Sequence, residues 1–261
     1  MIEADRITIR AGKREILSSV SLAIQPGRVT GIIGPNGAGK STILKAISGE
    51  IALAGGTIRL DGADMTRMKA RHVATRRAVL PQSSSLAFPF TVHEVVRLGV
   101  SGPRSMEAVR ERVTAALARV DLKDYGGRFF QELSGGEQQR VHLARVLCQV
   151  WEPCPHGKPN YLFLDEPTAS LDLRHQLLTL DTARDFARRG GGVVAILHDM
   201  NLAALYADHI IVVDKGRIAA EGPPRAVLTD AMLQAVFGVS IRVGQAPADQ
   251  PFILPHSVFA A

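Results

Sequence analysis

Apolar positions recur along this chain with two different periods. Over residues 2–10 and 16–24 they alternate with polar ones, as in Ile7 and Ile9, then Val20, Leu22 and Ile24. A period of two is that of a half-buried strand, so both segments are predicted to be strands. Gln25-Pro26-Gly27 then turns the chain into Val29-Thr30-Gly31-Ile32-Ile33, which reads as a buried strand. Thr42 to Ser48 reads as the start of a helix. Short strands are expected over Thr57–Leu60, between Gly55-Gly56 and Asp61-Gly62, and over 77–82, ending at a proline.

From about residue 84 to 155 the period becomes helical. Val109, Val113, Ala116, Leu117 and Val120 share one face of 106–120, and Val141, Ala144, Leu147 and Trp151 share one face of 137–151. Both stripes read as core, with Asp124-Tyr125-Gly126-Gly127 as the loop between them. A proline-rich connection, 152–160, leads to Tyr161-Leu162-Phe163-Leu164. That run, Val193–Leu197 and Ile210–Val213 are apolar without alternation, the pattern of parallel strands covered on both faces. Strands alternating with helices predict an α/β core around a parallel sheet.

The candidate chemistry lies at the ends of these strands. Gly34-Pro35-Asn36-Gly37-Ala38-Gly39-Lys40-Ser41-Thr42 fits the phosphate-loop pattern G-x-x-x-x-G-K-[ST], between a predicted strand and a predicted helix. Glycines let backbone N–H groups close around phosphate oxygens, and the helix N-terminus adds partial positive charge. Lys40 can reach the β- and γ-phosphates, and Ser41 can ligate Mg²⁺. Leu164-Asp165-Glu166 ends a buried strand, where Asp165 can hold Mg²⁺ and Glu166 can polarise an attacking water. A second anion site is suggested at Leu133-Ser134-Gly135-Gly136-Glu137-Gln138. Ser134 and Glu137 have capping-box spacing, and two glycines leave N–H groups bare at the helix start.

That second run is similar to the signature sequence of the ATP-binding-cassette (ABC) family, and it lies between the phosphate loop and the Walker-B strand as it does there. The other family elements follow in order. Gln82 matches the Q-loop glutamine. Ala169-Ser170-Leu171-Asp172 matches the D-loop, with Ser170 and Asp172 at its key positions, and His198 matches the switch histidine. The resemblance implies an ABC ATP-binding domain over about 1–238, with a RecA-like parallel-sheet core, an N-terminal antiparallel β subdomain and an inserted helical subdomain at about 84–155. Residues 239–261 are then a short C-terminal extension. It implies ATP and Mg²⁺ as cofactors, with Mg²⁺ held by Ser41, Gln82 and Asp165. Glu166, His198 and Lys40 are implied as catalytic. In an ATP-dependent homodimer, the signature of one copy would close over nucleotide bound to its partner. One departure stands out: the family usually stacks an aromatic residue on adenine, and Arg10-Ala11-Gly12 has Ala11 at that place.

Within the family, residues 80–92 are similar to the iron-chelate and cobalamin importers, and residues 88–96, the helix end 145–151, the insert 152–160 and the tail Pro251–His256 are most similar to the haem importers of that group. The implied partners are a two-copy membrane permease and, through it, a periplasmic haem-binding protein. The implied place is the cytoplasmic face of the inner membrane. Ferric siderophore or cobalamin is the alternative cargo, and a non-transport regulatory ATPase is the alternative of another class. The eight histidines are scattered, so no direct haem site is expected. Leu86, Phe88 and Phe90 are read either as a dock for the permease or as core of the helical arm.

Composition changes little. Hydrophobic content of 46% and charged content of 21% over 261 residues suit a globular chain with a substantial core. No run nears the ~20 apolar residues of a membrane helix, and the acidic N-terminus lacks a signal-peptide block, so the protein is expected in the cytosol. The two cysteines, Cys148 and Cys154, are expected as reduced thiols. A net charge of +6 is read as a solvated surface, with Arg104, Arg110, Arg112 and Arg119 on helix faces. Nucleic acid is not expected as a partner.

Overall fold

Alternation in the first two segments produces a hairpin of β1 (Ile2–Ala11) and β2 (Arg14–Ile24), which turns at Gly12. The computed structural model describes residues 1–82, 88–102, 105–246 and 248–257. Next in the chain come β3 (Val29–Ile33), α1 (Lys40–Ile47), β4 (Gly55–Leu60), β5 (Ala63–Asp64), α2 (Ala70–Arg76) and β6 (Arg77–Leu80). The helical stretch holds α3 (Val92–Arg97), α4 (Met106–Arg119) and α5 (Gly135–Gln149). The chain then runs through β7 (Tyr161–Asp165), α6 (Leu173–Arg188), β8 (Gly192–Ile196), α7 (Met200–Tyr206), β9 (His209–Asp214) and β10 (Arg217–Gly222).

Two sheets result. One is antiparallel, in the order β2-β1-β4-β5; the other has the order β10-β9-β3-β8-β7-β6. The central strands of the second sheet are parallel, and only β10 joins antiparallel. Their apolar runs lack alternation because both faces are covered. Leu162, Leu164, Val193, Ala195, Ile210 and Val212 face the layer that includes α3 to α7. Phe163, Val194, Ile196, Ile211 and Val213 face α1 and the antiparallel sheet. Successive residues along a strand point to opposite sides, so one apolar run feeds two cores.

Boundaries differ from expectation by a residue or two, for local reasons. Helix α1 starts at Lys40 because Gly39, at φ 106°, is the last residue that can hold the left-handed turn. Strand β6 stops at Leu80, since Pro81 has no N–H to offer a ladder. Helix α5 ends at Gln149, so Trp151 lies beyond it, half-buried. The Arg119 and Arg112 guanidiniums lie 4.2 and 5.5 Å from its ring centroid. Those two arginines therefore cover an aromatic face rather than simply meeting solvent. Arg110 is exposed, as expected, and Arg104 lies outside the described residues. Cys148 and Cys154 are both free thiols, and burial pushes Cys148 up to about 12.

The seam between α3 and α5 is close enough to exclude a methyl group. A Cβ added to Gly99 would overlap the Arg145 carbonyl. Gly99→Ala is expected to destabilise the protein by about 1–3 kcal/mol, since backbone must shift to admit the methyl. Urea unfolding followed by far-ultraviolet circular dichroism measures this; an unchanged midpoint would contradict so tight a seam.

Candidate active site

Parallel strands set the site because they end level with one another. Ile32 of β3 pairs with Ile196 of β8, and Ile196 pairs with Asp165 of β7. Leu80 of β6 pairs with Leu164. The residues that follow each strand, Gly34–Lys40, His198, Glu166 and Gln82, therefore emerge along one edge of the sheet. The crevice beyond the carboxyl ends of such strands is where α/β sheets hold ligands.

The phosphate loop has the backbone its glycines allow. Gly34 sits at φ 152°, and a Cβ there would collide with the Val213 carbonyl. Gly37 and Gly39 also have positive φ. Gly39 caps α1 without a side-chain acceptor, which leaves N–H groups of the first turn to face an anion. Lys40 Nζ donates to the carbonyls of Gly34 at 2.9 Å and Pro35 at 3.0 Å, so its ammonium lies across the loop. Burial lowers the Lys40 pKa, opposed by Glu166 and Asp165.

Ser41 Oγ donates to Asp165 Oδ1 at 3.2 Å, which joins the start of α1 to the end of β7. Asp165 is buried. Its carboxyl is pushed up by burial first; the Ser41 hydroxyl counters this, and the charge of Glu166 adds to it. Glu166 is held at φ 53°, and both its carboxylate oxygens are engaged. His198 Nε2 lies 2.6 Å from Oε1, and Gln82 Nε2 donates to Oε2 at 2.9 Å. Gln139 Nε2 donates to the Glu166 carbonyl at 3.1 Å. Gln139 has no motif spacing that marks it; only its place next to the signature run points to it.

At the start of α5, Ser134 and Glu137 form a capping box. Glu137 N–H donates to Ser134 Oγ at 3.4 Å, and Ser134 N–H and Oγ donate to Glu137 Oε2 at 2.8 and 2.7 Å. Gln138 Nε2 donates to the Leu133 carbonyl at 3.0 Å and so braces the turn. Among the described residues no hydrogen bond joins Ser134, Gly135 or Gly136 to the phosphate loop of the same chain. Gly136 lies against the next loop instead, where a Cβ would sit 3.0 Å from the Ser170 carbonyl. Ser170 has φ 62°, and Asp172 caps α6 by accepting from His175 N–H at 2.9 Å. Ala11 is exposed at the end of the first hairpin, beside Arg10, Lys13 and Arg14, which are exposed as well.

Comparison with known proteins agrees with this arrangement. The model of the ABC transporter family matches residues 17–169. A protein of Mesorhizobium japonicum named "Hemin import ATP-binding protein HmuV" is 54% identical and covers 98% of this chain and 99% of its own length. A protein of the same name from Rhizobium meliloti is 51% identical, covering 98% of this chain and 99% of its own. Among solved structures, the dimeric bacterial ABC transporter cassette MJ0796 superposes with a TM-score of 0.74 at 27% identity, over 86% of this chain and 99% of that one. A bacterial Atm1-family ABC exporter with ATP bound gives 0.77 at 29% identity, over 90% of this chain and 40% of that one. With a phosphate loop, an acidic strand end and a histidine brought to one sheet edge, the chain belongs to the ABC transporter family as one of its ATP-hydrolysing cassettes.

Proposed function

We propose that this cassette hydrolyses ATP at Glu166 to energise the import of haem, working as a nucleotide-closed homodimer beneath a two-copy membrane permease. One observation carries the chemistry: Glu166 stands between Gln82 and His198 at the sheet edge that also bears Lys40 and Ser41. The cargo reading rests on 54% identity, over nearly the whole chain, to a protein named for hemin import.

Phosphoryl transfer to water needs charge neutralised and atoms aligned more than it needs covalent chemistry. The N–H groups from Gly34 to Thr42 receive phosphate oxygens, with Pro35, Asn36 and Ala38 shaping the loop between the glycines. Lys40 exchanges its two carbonyls for β- and γ-oxygens. A buried carboxyl pushed up by its surroundings, with a hydroxyl on it and a second carboxylate beside it, suits a cation. Ser41, Asp165 and Gln82 would hold Mg²⁺, which when bound supplies further positive charge to the β,γ-phosphates. Glu166 orients the water and His198 steadies the charge that develops. In this structure Gln82 and His198 each engage one Glu166 oxygen, and each oxygen keeps a further lone pair to accept from an attacking water. Nucleotide-dependent closure, bringing a partner's Ser134, Gly135 and Gly136 over the γ-phosphate, is our account of how that water is brought into line. We place the subunit at the cytoplasmic face of the inner membrane, fed through the permease by a periplasmic haem-binding protein. No helix among the described residues is long and apolar enough to cross a membrane.

The permease dock is best assigned to Phe88. It is 68% exposed, whereas Phe90 is partly buried against the helical core, with the two rings edge to face at 6.4 Å. Leu86 lies outside the described residues.

Substitutions at four positions test this reading. Glu166→Gln should lower steady-state ATP hydrolysis by more than about 100-fold while ATP still binds. In the assembly reconstituted with permease and binding protein, haem-loaded binding protein should stimulate the wild type and leave this variant silent. Stimulation by ferric siderophore or cobalamin instead would reassign the cargo. Asp165→Asn should abolish hydrolysis yet raise the nucleotide-free melting midpoint by about 2–4 °C, because it removes a charge that burial penalises. That gap should close as pH falls: the folded state holds the Asp165 proton more tightly than the unfolded one, so the wild type gains stability as the carboxyl neutralises. Melts of both proteins across acid pH measure it. Phe88→Asp should uncouple haem uptake from hydrolysis with basal ATPase within about twofold, while Phe90→Asp costs soluble protein; the reverse pattern would place the dock at Phe90.

A further inference from the structure

Just past the D-loop, the first turn of α6 holds a polar bridge that the mechanism above does not use. His175 follows Asp172, the cap of α6, and its ring is 17% exposed. Its Nδ1 lies 2.8 and 2.9 Å from the two carboxylate oxygens of Asp172. Its Nε2 lies 3.4 Å from Asp121 Oδ2, at the end of the helical layer where α4 stops. Arg174 reaches the same oxygen at 3.0 Å. From α5, Arg140 donates to the carbonyls of Val120 at 2.9 Å and Asp121 at 3.0 Å, which fixes Asp121 to the signature helix. Gln176 braces the D-loop from the other side, donating to the carbonyls of Leu171 at 3.1 Å and Thr168 at 3.4 Å.

We propose that His175 is a positioning residue for hydrolysis: by bridging Asp172 and Asp121 it locks the D-loop to the helical layer, so that Ser170 and Gly136 keep their contact and move as one body. Two further observations support it. An open cleft of about 550 Å³, lined in part by Ala118, Asp121, Leu173, Arg174 and Leu177, separates α4 from α6 beside the bridge, so polar contacts rather than flush apolar packing span this seam. The Asp172 carboxyl is held below the usual carboxylate range, chiefly by the His175 backbone N–H and then by its ring, with Arg140 adding a little. Both ring nitrogens face carboxylates, Nδ1 that of Asp172 and Nε2 that of Asp121.

This inference rests on the reading of the signature glycines and the D-loop as parts of the hydrolytic site. Its test is steady-state ATPase of the full chain carrying His175→Ala, His175→Gln, Asp121→Asn and the double variant His175→Gln with Asp121→Asn. His175→Ala and Asp121→Asn should each lower kcat by roughly tenfold or more, with the KM for ATP within about twofold, since nucleotide contacts stay in place and alignment is lost. His175→Gln, which keeps one donor, should recover part of the loss. The double variant should be no worse than the poorer single one, because both act on one bridge. Additive losses, an unchanged kcat in His175→Gln and Asp121→Asn, or losses that track melting temperature alone would overturn the proposal. Should Glu166→Gln still turn over, the hydrolytic reading fails, and the non-additivity between His175 and Asp121 judges the bridge on its own.

Discussion

Level strand ends are the constraint on which the rest depends. A parallel sheet must send every chain crossing back to the same edge before the next strand begins. In this protein that rule gathers residues 84 and 124 positions apart. Ser41 and Asp165 share a hydrogen bond, as do Gln82 and Glu166. Slipping one strand by a residue would turn its apolar set into the wrong core and carry its terminal side chain away from the others. Because β3, β7, β8 and β9 are buried on both faces, their register is held firmly, and the positions of the catalytic groups inherit that firmness.

Around this rigid edge the structure keeps several unfavourable local arrangements. Asp165 and Glu166 are adjacent acids, the first of them buried. Lys40 is buried with carbonyls for partners. Glu166 and Ser170 hold backbone conformations that side chains disfavour. Each costs stability locally. Core and site therefore divide the work: the apolar strands supply the stability that the polar edge gives up.

The helical layer is tied to the edge by few polar contacts. Gln139 reaches the Glu166 carbonyl, Gly136 rests on Ser170, and His175 with Arg174 meets Asp121. These directional bonds stand at the rim of an apolar core that α3, α4 and α5 share with β6 and β7, so the core holds the layer on the sheet while the polar contacts set its orientation at the edge.

Much of this was legible in the residues. The phosphate loop, Asp165, Glu166, the Ser134 capping box and the doubly buried strands each announce themselves through local spacing. Helix α6 was legible in principle too, since Thr179, Leu180, Ala183, Phe186 and Ala187 repeat at helical intervals. The pairing of His175 with Asp121, of Gln139 with Glu166 and of Arg119 with Trp151 was not, because each joins side chains from elements whose packing no local pattern encodes. The choice between Phe88 and Phe90 for the exposed position also needed the fold, as both are equally apolar in sequence. Which chemistry this protein carries is written in residue type and near spacing, because the backbone conformations and charges of a phosphate loop are local properties. Which groups touch follows from sheet order and helix packing over long separations, and no local pattern encodes that.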